Sequence, residues 1–287
     1  MSLFSKKEKK PEEPQYYLSA TNMPAYNYKV YYMNKSEKLF YFFLAFAAGA
    51  AVGYLFYGGI GKNAEGNWEV STWIINIVIM SLVGLLAGKI YLPIRTEQIR
   101  RKKQTDLRYQ FRELLDALST SIGSGKNVFD AFHAAKDDLG IIYNADASIM
   151  KELDLIISGI DNNVDVEASL LDFGSRSGIP DIESFANVFD TCYRKGGNLR
   201  DVIQNTQQII TEKMGIEQDI QTSISGSKNE QTIMMFMPIL IVGLIKMMSP
   251  EFGKNFTSSA GIVATTIGVV LFVVSYFVGK RITDIKV

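Results

Sequence analysis

Three long apolar segments constrain this chain most strongly. Residues 39–60 form a run of 22 residues without a charge, residues 73–92 contain a single lysine, and residues 261–279 form another uncharged run of 19. Each is close to the ~20 residues that a helix needs to cross a bilayer. A fourth apolar segment, residues 233–248, is shorter and contains Pro238 and Lys246, so its own composition leaves it ambiguous.

The distribution of positive charge resolves that ambiguity. Seven lysines lie in residues 1–38, six Lys or Arg lie in residues 93–108, and the tail after residue 279 is also basic, whereas the short connections within each pair of apolar segments are poor in cations. By the positive-inside rule, both termini and residues 93–230 then lie in the cytoplasm, which requires an even number of crossings. The sequence therefore predicts four transmembrane helices. A cleaved signal peptide is disfavoured, because the first apolar run is too long and begins too late.

Between the two pairs of spans, the sequence predicts a helical bundle. In residues 93–230 apolar residues recur at intervals of three and four, and breaks rich in Gly, Asn and Pro separate about six such stripes. The predicted fold class is all-α: a polytopic membrane protein with a cytoplasmic bundle. The predicted domains are a mobile N-terminal arm (1–38), two spans (39–92), the bundle (93–230), and two further spans with a short tail (231–287). The first bundle helix is expected to continue from the second span.

Two glycine turns in the bundle share one pattern. Each copy reads Gly, any residue, Asn, apolar, any residue, Asp, and the second copy follows the first after 71 residues. Gly is favoured just past a helix end, Asn caps the next helix, and Asp three residues later reaches back to the cap. We predict that these residues form the turns of two antiparallel helix hairpins and that each cap contributes ~1 kcal/mol. They are Gly125, Asn127, Asp130, Gly196, Gly197, Asn198 and Asp201.

The first turn also contains the letters GSGK, which resemble a phosphate-binding loop. That loop follows the pattern GxxxxGK[ST] between a strand and a helix. Here Thr120 stands where the first glycine is required, Asn127 stands where Ser or Thr would bind Mg²⁺, and a helical stripe precedes the loop. Nucleotide binding is therefore disfavoured. With Cys192 and His133 as the only cysteine and histidine, we expect no zinc site, no cofactor and no catalytic centre.

Two stretches, FRELLDALSTSIGSGKNVFDAFHAAK (111–136) and FANVFDTCYRKGGNLRDVIQNTQQII (185–210), resemble the type II secretion F family. With one bundle between two pairs of spans, residues 80–287 are most similar to the platform proteins of the Tad (tight-adherence, Flp-type) pilus. The resemblance implies a non-enzymatic platform in the bacterial inner membrane. Its implied partners are a hexameric secretion ATPase in the cytoplasm, pilin subunits, a paralogous platform subunit or a second copy of the chain, and the lipid bilayer. No nucleic acid is implied.

Other residues support weaker expectations. Gly84 and Gly88 form a GxxxG pair that would allow close helix packing. Asp137 and Asp138 are expected to end a helix near Gly140, and they are weak candidates for partner contact. His133 is expected on the surface or between helices. Two alternative functions stay open: a membrane-tethered signalling or scaffold bundle, and a small-molecule transporter, which is disfavoured because Asp and Glu are absent from every predicted span.

Overall fold

The computed structural model describes residues 13–60, 69–248 and 255–283. The described residues form two compact units, and two of the three boundaries between them fall inside long helices. One unit contains residues 13–32 and 96–215, and the other contains residues 33–60, 69–95, 216–248 and 255–283. In chain order the elements are β1 (Tyr16–Leu18), β2 (Pro24–Tyr26), α1 (Lys35–Tyr57), α2 (Val70–Gly123), α3 (Val128–Ile142), α4 (Ser148–Asp161), α5 (Val166–Ser177), α6 (Pro180–Lys195), α7 (Leu199–Met248) and α8 (Ser259–Thr283).

The first unit is a helical bundle around a closed apolar core. The C-terminal part of α2, helices α3 to α6 and the N-terminal part of α7 all place their apolar stripes inward, as the spacing of three and four residues predicts. At the centre, the ring of Phe111 packs edge-to-face on those of Phe173 and Phe185, with centroids 6.1 and 5.4 Å apart. Such aromatic pairs add to the free energy gained by burying the rings.

Helices α2 and α7 are much longer than the others. They contain 54 and 50 residues and continue without a break from an apolar segment into the bundle sequence, as predicted. Each contains an internal proline, Pro93 in α2 and Pro238 in α7. A proline removes one backbone hydrogen bond from a helix interior, and it is tolerated here within a helix that is long on both sides.

Residues 13–32 differ from the expected mobile arm. Strands β1 and β2 pair antiparallel, with Tyr16 opposite Tyr26, and the chain after them contributes the buried Tyr28 to the core of the bundle. The Tyr28 N–H donates to the carbonyl of Arg176 at 3.0 Å. This segment is therefore part of the bundle unit. Residues 1–12 lie outside the described residues.

Four helices among the described residues are long and apolar enough to cross a membrane: Lys35–Tyr57, Val70–Gly123, Leu199–Met248 and Ser259–Gly279. This finding indicates a multi-pass membrane protein and agrees with the four predicted spans. The second unit contains α1, α8 and the apolar parts of α2 and α7. The large apolar side chains of these helices are mostly exposed within the single chain. That pattern is expected of helices whose solvent is lipid rather than water.

Lys246 of α7 contacts the C-terminal end of α1. Its Nζ donates to the carbonyls of Leu55 and Phe56 at 2.6 and 3.3 Å. The ammonium also lies 5.1 Å from the ring centroid of Phe256. The carbonyls at a helix C-terminus carry partial negative charge and lack partners within the helix, so they can hold a cation.

Candidate functional site

The first glycine turn joins α2 to α3. Gly125 has φ +91°, a left-handed conformation that glycine adopts without steric cost. Asn127 is the N-cap of α3, and its Oδ1 accepts a hydrogen bond from the backbone N–H of Asp130 at 2.8 Å. In return, Asn127 Nδ2 donates to Asp130 Oδ2 at 2.8 Å. The two side chains thus close a reciprocal cap on the first turn of α3.

The second glycine turn joins α6 to α7 and shares two features with the first, a left-handed glycine and a contact between Asn and Asp side chains. Gly196 is the C-cap of α6, with φ +71° in the left-handed region, and the N–H of Gly197 donates to the carbonyl of Cys192 at 2.8 Å. Asn198 Nδ2 donates to Asp201 Oδ2 at 2.7 Å. In each turn, therefore, the asparagine and the aspartate three residues later contact each other.

The environment of Lys126 differs from that of a phosphate-binding lysine. The turn lies between two helices, α2 and α3, whereas a phosphate loop follows a strand. The backbone N–H groups of Ser124, Gly125 and Lys126 donate to carbonyls in the last turn of α2, at distances of 3.0 to 3.3 Å. Since these N–H groups already have acceptors, they do not form an open cradle for phosphate oxygens.

The acidic pair on α3 is not at the end of its helix. The helix continues past Asp137, Asp138 and Gly140 to Ile142, so the predicted helix end is wrong. A glycine in a helix interior costs only about 1 kcal/mol relative to alanine, and burial of Leu139 in the core favours the helical conformation there. Both carboxylates lie on the exposed face. His133 on the same helix is half-exposed, and its Nε2 lies 3.6 Å from Asp161 Oδ1 of α4.

Gly84 and Gly88 of α2 lie against α1. A Cβ atom on Gly84 would lie 2.7 Å from the Phe46 ring, and one on Gly88 would lie 2.5 Å from the Phe42 ring. From the opposite helix, a Cβ on Gly49 would lie 2.6 Å from Ala87 Cβ. These distances are too short for real Cβ contacts, so the glycines allow the helices to pack at this distance, which is a common mode of helix association in membranes.

A buried ion-pair network, which the sequence analysis did not predict, connects α4, α5 and the N-terminal segment. The guanidinium of Arg176 donates to both carboxylate oxygens of Glu152, at 3.0 and 2.7 Å, and to Asp172 Oδ2 at 2.8 Å. It also donates to the carbonyl of Tyr26 at 2.9 Å. The side chains of Arg176 and Glu152 are only 2% and 1% exposed. Burial alone would lower the pKa of Arg176, but the hydrogen bonds and charges of Glu152 and Asp172 outweigh burial and raise it.

A second polar cluster joins α2, α6 and α7. The Asp181 carboxylate, near the N-terminus of α6, lies 3.0 Å from Arg108 Nε of α2 and also contacts Lys213 Nζ of α7. The Asp181 side chain is mostly buried, so its interaction with the two cations is less screened by water than that of a surface pair. Through this cluster, α6 connects the bundle parts of the two longest helices.

The sequence contains one signal that could have identified the buried network. Glu152 lies three residues after Ile149 and four before Ile156, so it occupies the apolar stripe of α4. Arg176 likewise lies three residues after the buried Phe173 on α5. A charged residue within an apolar stripe is either an error in the predicted stripe or one member of a buried pair. Which acid pairs with Arg176 depends on tertiary packing.

Among the described residues, no group of three or more His, Cys, Asp or Glu side chains has an arrangement that could hold a metal ion. Comparison of the chain with protein-family models, with curated proteins and with solved structures finds no match. The class that the structure defines is thus a multi-pass helical membrane protein with a helical bundle between two pairs of apolar helices.

Proposed function

We propose that this protein is a non-enzymatic platform subunit of a Tad-like or type IV-like pilus assembly or type II secretion machine. It would lie in the bacterial inner membrane with both termini in the cytoplasm. It would couple a cytoplasmic secretion ATPase to the extraction and polymerisation of pilins. One observation carries the proposal: along the chain, a bundle with two Gly-x-Asn hairpin turns is inserted between two pairs of apolar helices. This is the order of elements in the family that the sequence resembles.

The continuity of α2 and α7 supports a mechanical role. Each is a single helix of at least 50 residues that contributes to both units. A continuous helix transmits displacement along its axis, whereas a flexible linker absorbs it. Inside the bundle, Asp181 contacts both long helices through Arg108 and Lys213. A push on the bundle would therefore act on α2 and α7 together.

The proposed partners can be tested by affinity purification of the tagged chain from its native membrane, followed by identification of the co-purifying proteins. We expect a hexameric secretion ATPase and pilin subunits, together with a paralogous platform subunit or untagged copies of this chain. Recovery of a signalling protein without either the ATPase or a pilin would contradict the proposal and favour a scaffold function.

The mechanical role can be tested separately by inserting Gly-Gly beside Lys228, within the continuous helix α7. Two glycines destabilise a helix interior, and this insertion should abolish piliation while the protein still inserts into the membrane. The matched control places Gly-Gly in the connection between α3 and α4, at Asn144, where no helix is interrupted. Normal pili in the Lys228 insertion variant would refute coupling through α7.

A further inference from the structure

A cavity of about 370 Å³ lies between α7 and α8, within the apolar unit. Its lining is polar at one end and apolar further along. Glu230 and Gln231 of α7 contribute polar groups at one end, and Met234, Met235 and Phe272 contribute apolar surface further along. Binding sites for small amphiphiles combine an apolar wall with a few placed polar groups in this way.

The cavity lies at the polar–apolar boundary of both helices. Gln231 precedes the apolar segment of α7, which begins at Ile233, and Tyr276 lies in the last turn of the apolar segment of α8, before Lys280 and Arg281. Tyrosines are enriched at this level of membrane proteins, where lipid headgroups meet acyl chains. The polar end of the cavity is therefore at headgroup level, and its apolar end is at chain level.

Gln231 lies close to α8 at the polar end. A Cβ atom on Gly279 would come too close to Gln231 Nε2, so the glycine leaves room for the Gln231 side chain in its present position. The hydroxyls of Ser275 and Tyr276 line the same cavity. Together the amide and the two hydroxyls provide several donors that suit phosphate oxygens.

The charge of the lining favours one class of ligand. Among the residues that line the cavity, Glu230 alone carries a formal charge. A carboxylate forms strong hydrogen bonds with a primary ammonium, such as that of ethanolamine. It repels an anionic headgroup, and it receives no hydrogen bond from the quaternary ammonium of choline, which has no N–H. We propose that the cavity binds one phospholipid with an ethanolamine headgroup. The ammonium of the lipid donates to the Glu230 carboxylate, and its phosphate accepts hydrogen bonds from the Gln231 amide and the two hydroxyls. An acyl chain lies along Met234, Met235 and Phe272.

This inference can be tested on the full chain in nanodiscs that contain equal amounts of ethanolamine, choline and glycerol phospholipids. Native mass spectrometry after release from the nanodisc would count the lipids that stay bound. We expect the wild type to retain ethanolamine lipid about tenfold more strongly than either other lipid, the ratio given by one charge-assisted hydrogen bond. Glu230→Gln should abolish this preference. Asp219→Asn, an exposed acid of the same helix outside the cavity, should preserve it.

Equal retention of the three lipids by the wild type, or an unchanged preference in Glu230→Gln, would overturn the proposal. A second measurement identifies the occupant directly: Tyr276 is replaced by the photocrosslinker benzoylphenylalanine and irradiated in the same nanodiscs. An adduct with the mass of an ethanolamine phospholipid supports the proposal. An adduct with a second copy of the chain would show that a protein helix fills the cavity, and this too would overturn it. Neither experiment depends on the proposed pilus function, so a negative result in either would leave the pilus proposal unaffected.

Discussion

In the bundle unit most large apolar side chains lie inside, and in the apolar unit most lie outside. Phe111 and Phe132 of the bundle are at most 1% exposed, whereas Leu82 and Val274 of the predicted spans are more than half exposed. Water drives the first arrangement, because burial removes apolar surface from contact with water. Lipid removes that driving force, because acyl chains are as apolar as the side chains they cover.

The two units therefore use polar groups and glycines differently. The bundle places a charged pair, Glu152 and Arg176, inside its core, where the partners satisfy each other. In the apolar unit, α1 and α2 approach through glycines such as Gly84, and Lys246 binds the carbonyl end of α1. In lipid, close backbone packing and satisfied polar groups replace the hydrophobic effect as the forces between helices.

The largest effect is expected from Arg176→Ala. Without the guanidinium, the Glu152 carboxylate would remain buried without its cation, which costs about 3–5 kcal/mol of folding free energy. Circular dichroism of the full chain in detergent should show a lower unfolding temperature for this variant. As a control, the double variant Glu152→Leu/Arg176→Met fills the site with apolar groups and should retain most of the stability. An Arg176→Ala protein as stable as the wild type would show that the network adds nothing to the bundle.

In the apolar unit, Gly84→Leu should separate α1 from α2. Its side chain would collide with Phe46, and overpacking costs about 1–3 kcal/mol, which is a shift of roughly 5- to 150-fold away from the packed helices. The readout is disulfide formation between Gly53→Cys and Val83→Cys, positions whose Cβ atoms would be 3.3 Å apart, with Cys192→Ser as background. The crosslinking yield should fall in Gly84→Leu.

The matched control for this crosslinking experiment is Gly268→Leu in α8. No side chain or distant backbone atom among the described residues lies within 4 Å of a Cβ at that position, so the leucine would face open space. Crosslinking should stay at the wild-type level. Equal yields in Gly84→Leu and Gly268→Leu would mean that small residues do not control the packing of α1 on α2.

Smaller effects are expected at the two turns of the bundle. Asn127→Ala removes the acceptor of the Asp130 N–H and the donor to its carboxylate, and Asn198→Ala removes the contact with Asp201. Each should cost about 1 kcal/mol, or roughly 2–4 °C in the unfolding temperature, with no change in partner binding. Unchanged unfolding temperatures would show that the shared sequence pattern does not contribute to the stability of the hairpins.

Much of this architecture could be predicted because it depends on local pattern. The apolar segments around Leu44, Leu82 and Val270 identify three spanning helices by length, the distribution of positive charge adds the fourth, and the spacing of apolar residues identifies the bundle helices. The polar contacts of the bundle could not be predicted. Asp181 is close in sequence to neither Arg108 nor Lys213, and a single sequence gives no measure of which distant residues meet.

The packing of the N-terminal segment also depends on contacts between distant residues, which the sequence pattern does not predict. Its lysines and prolines suggested a mobile arm, because charge and proline disfavour a packed core. In the structure, Tyr26 and Tyr28 hold residues 13–32 to the bundle, through the Arg176 guanidinium and the apolar core. The cluster of lysines lies in residues 1–12, outside the described residues. The binding site of the two tyrosines exists only after α4 and α5 have packed together.

The smallest effect is expected from Lys126→Ala, which tests whether the glycine turn between α2 and α3 binds a nucleotide. The Lys126 side chain is exposed, and substitution of such a residue usually changes stability by less than about 0.5 kcal/mol. The purified chain should bind no ATP analogue in equilibrium dialysis, with or without the substitution, since the backbone N–H groups of the turn already donate to carbonyls of α2. A wild type that binds the analogue and a Lys126→Ala variant that does not would make this turn a nucleotide site. That result would place a ligand-binding function, rather than helix capping alone, in the bundle.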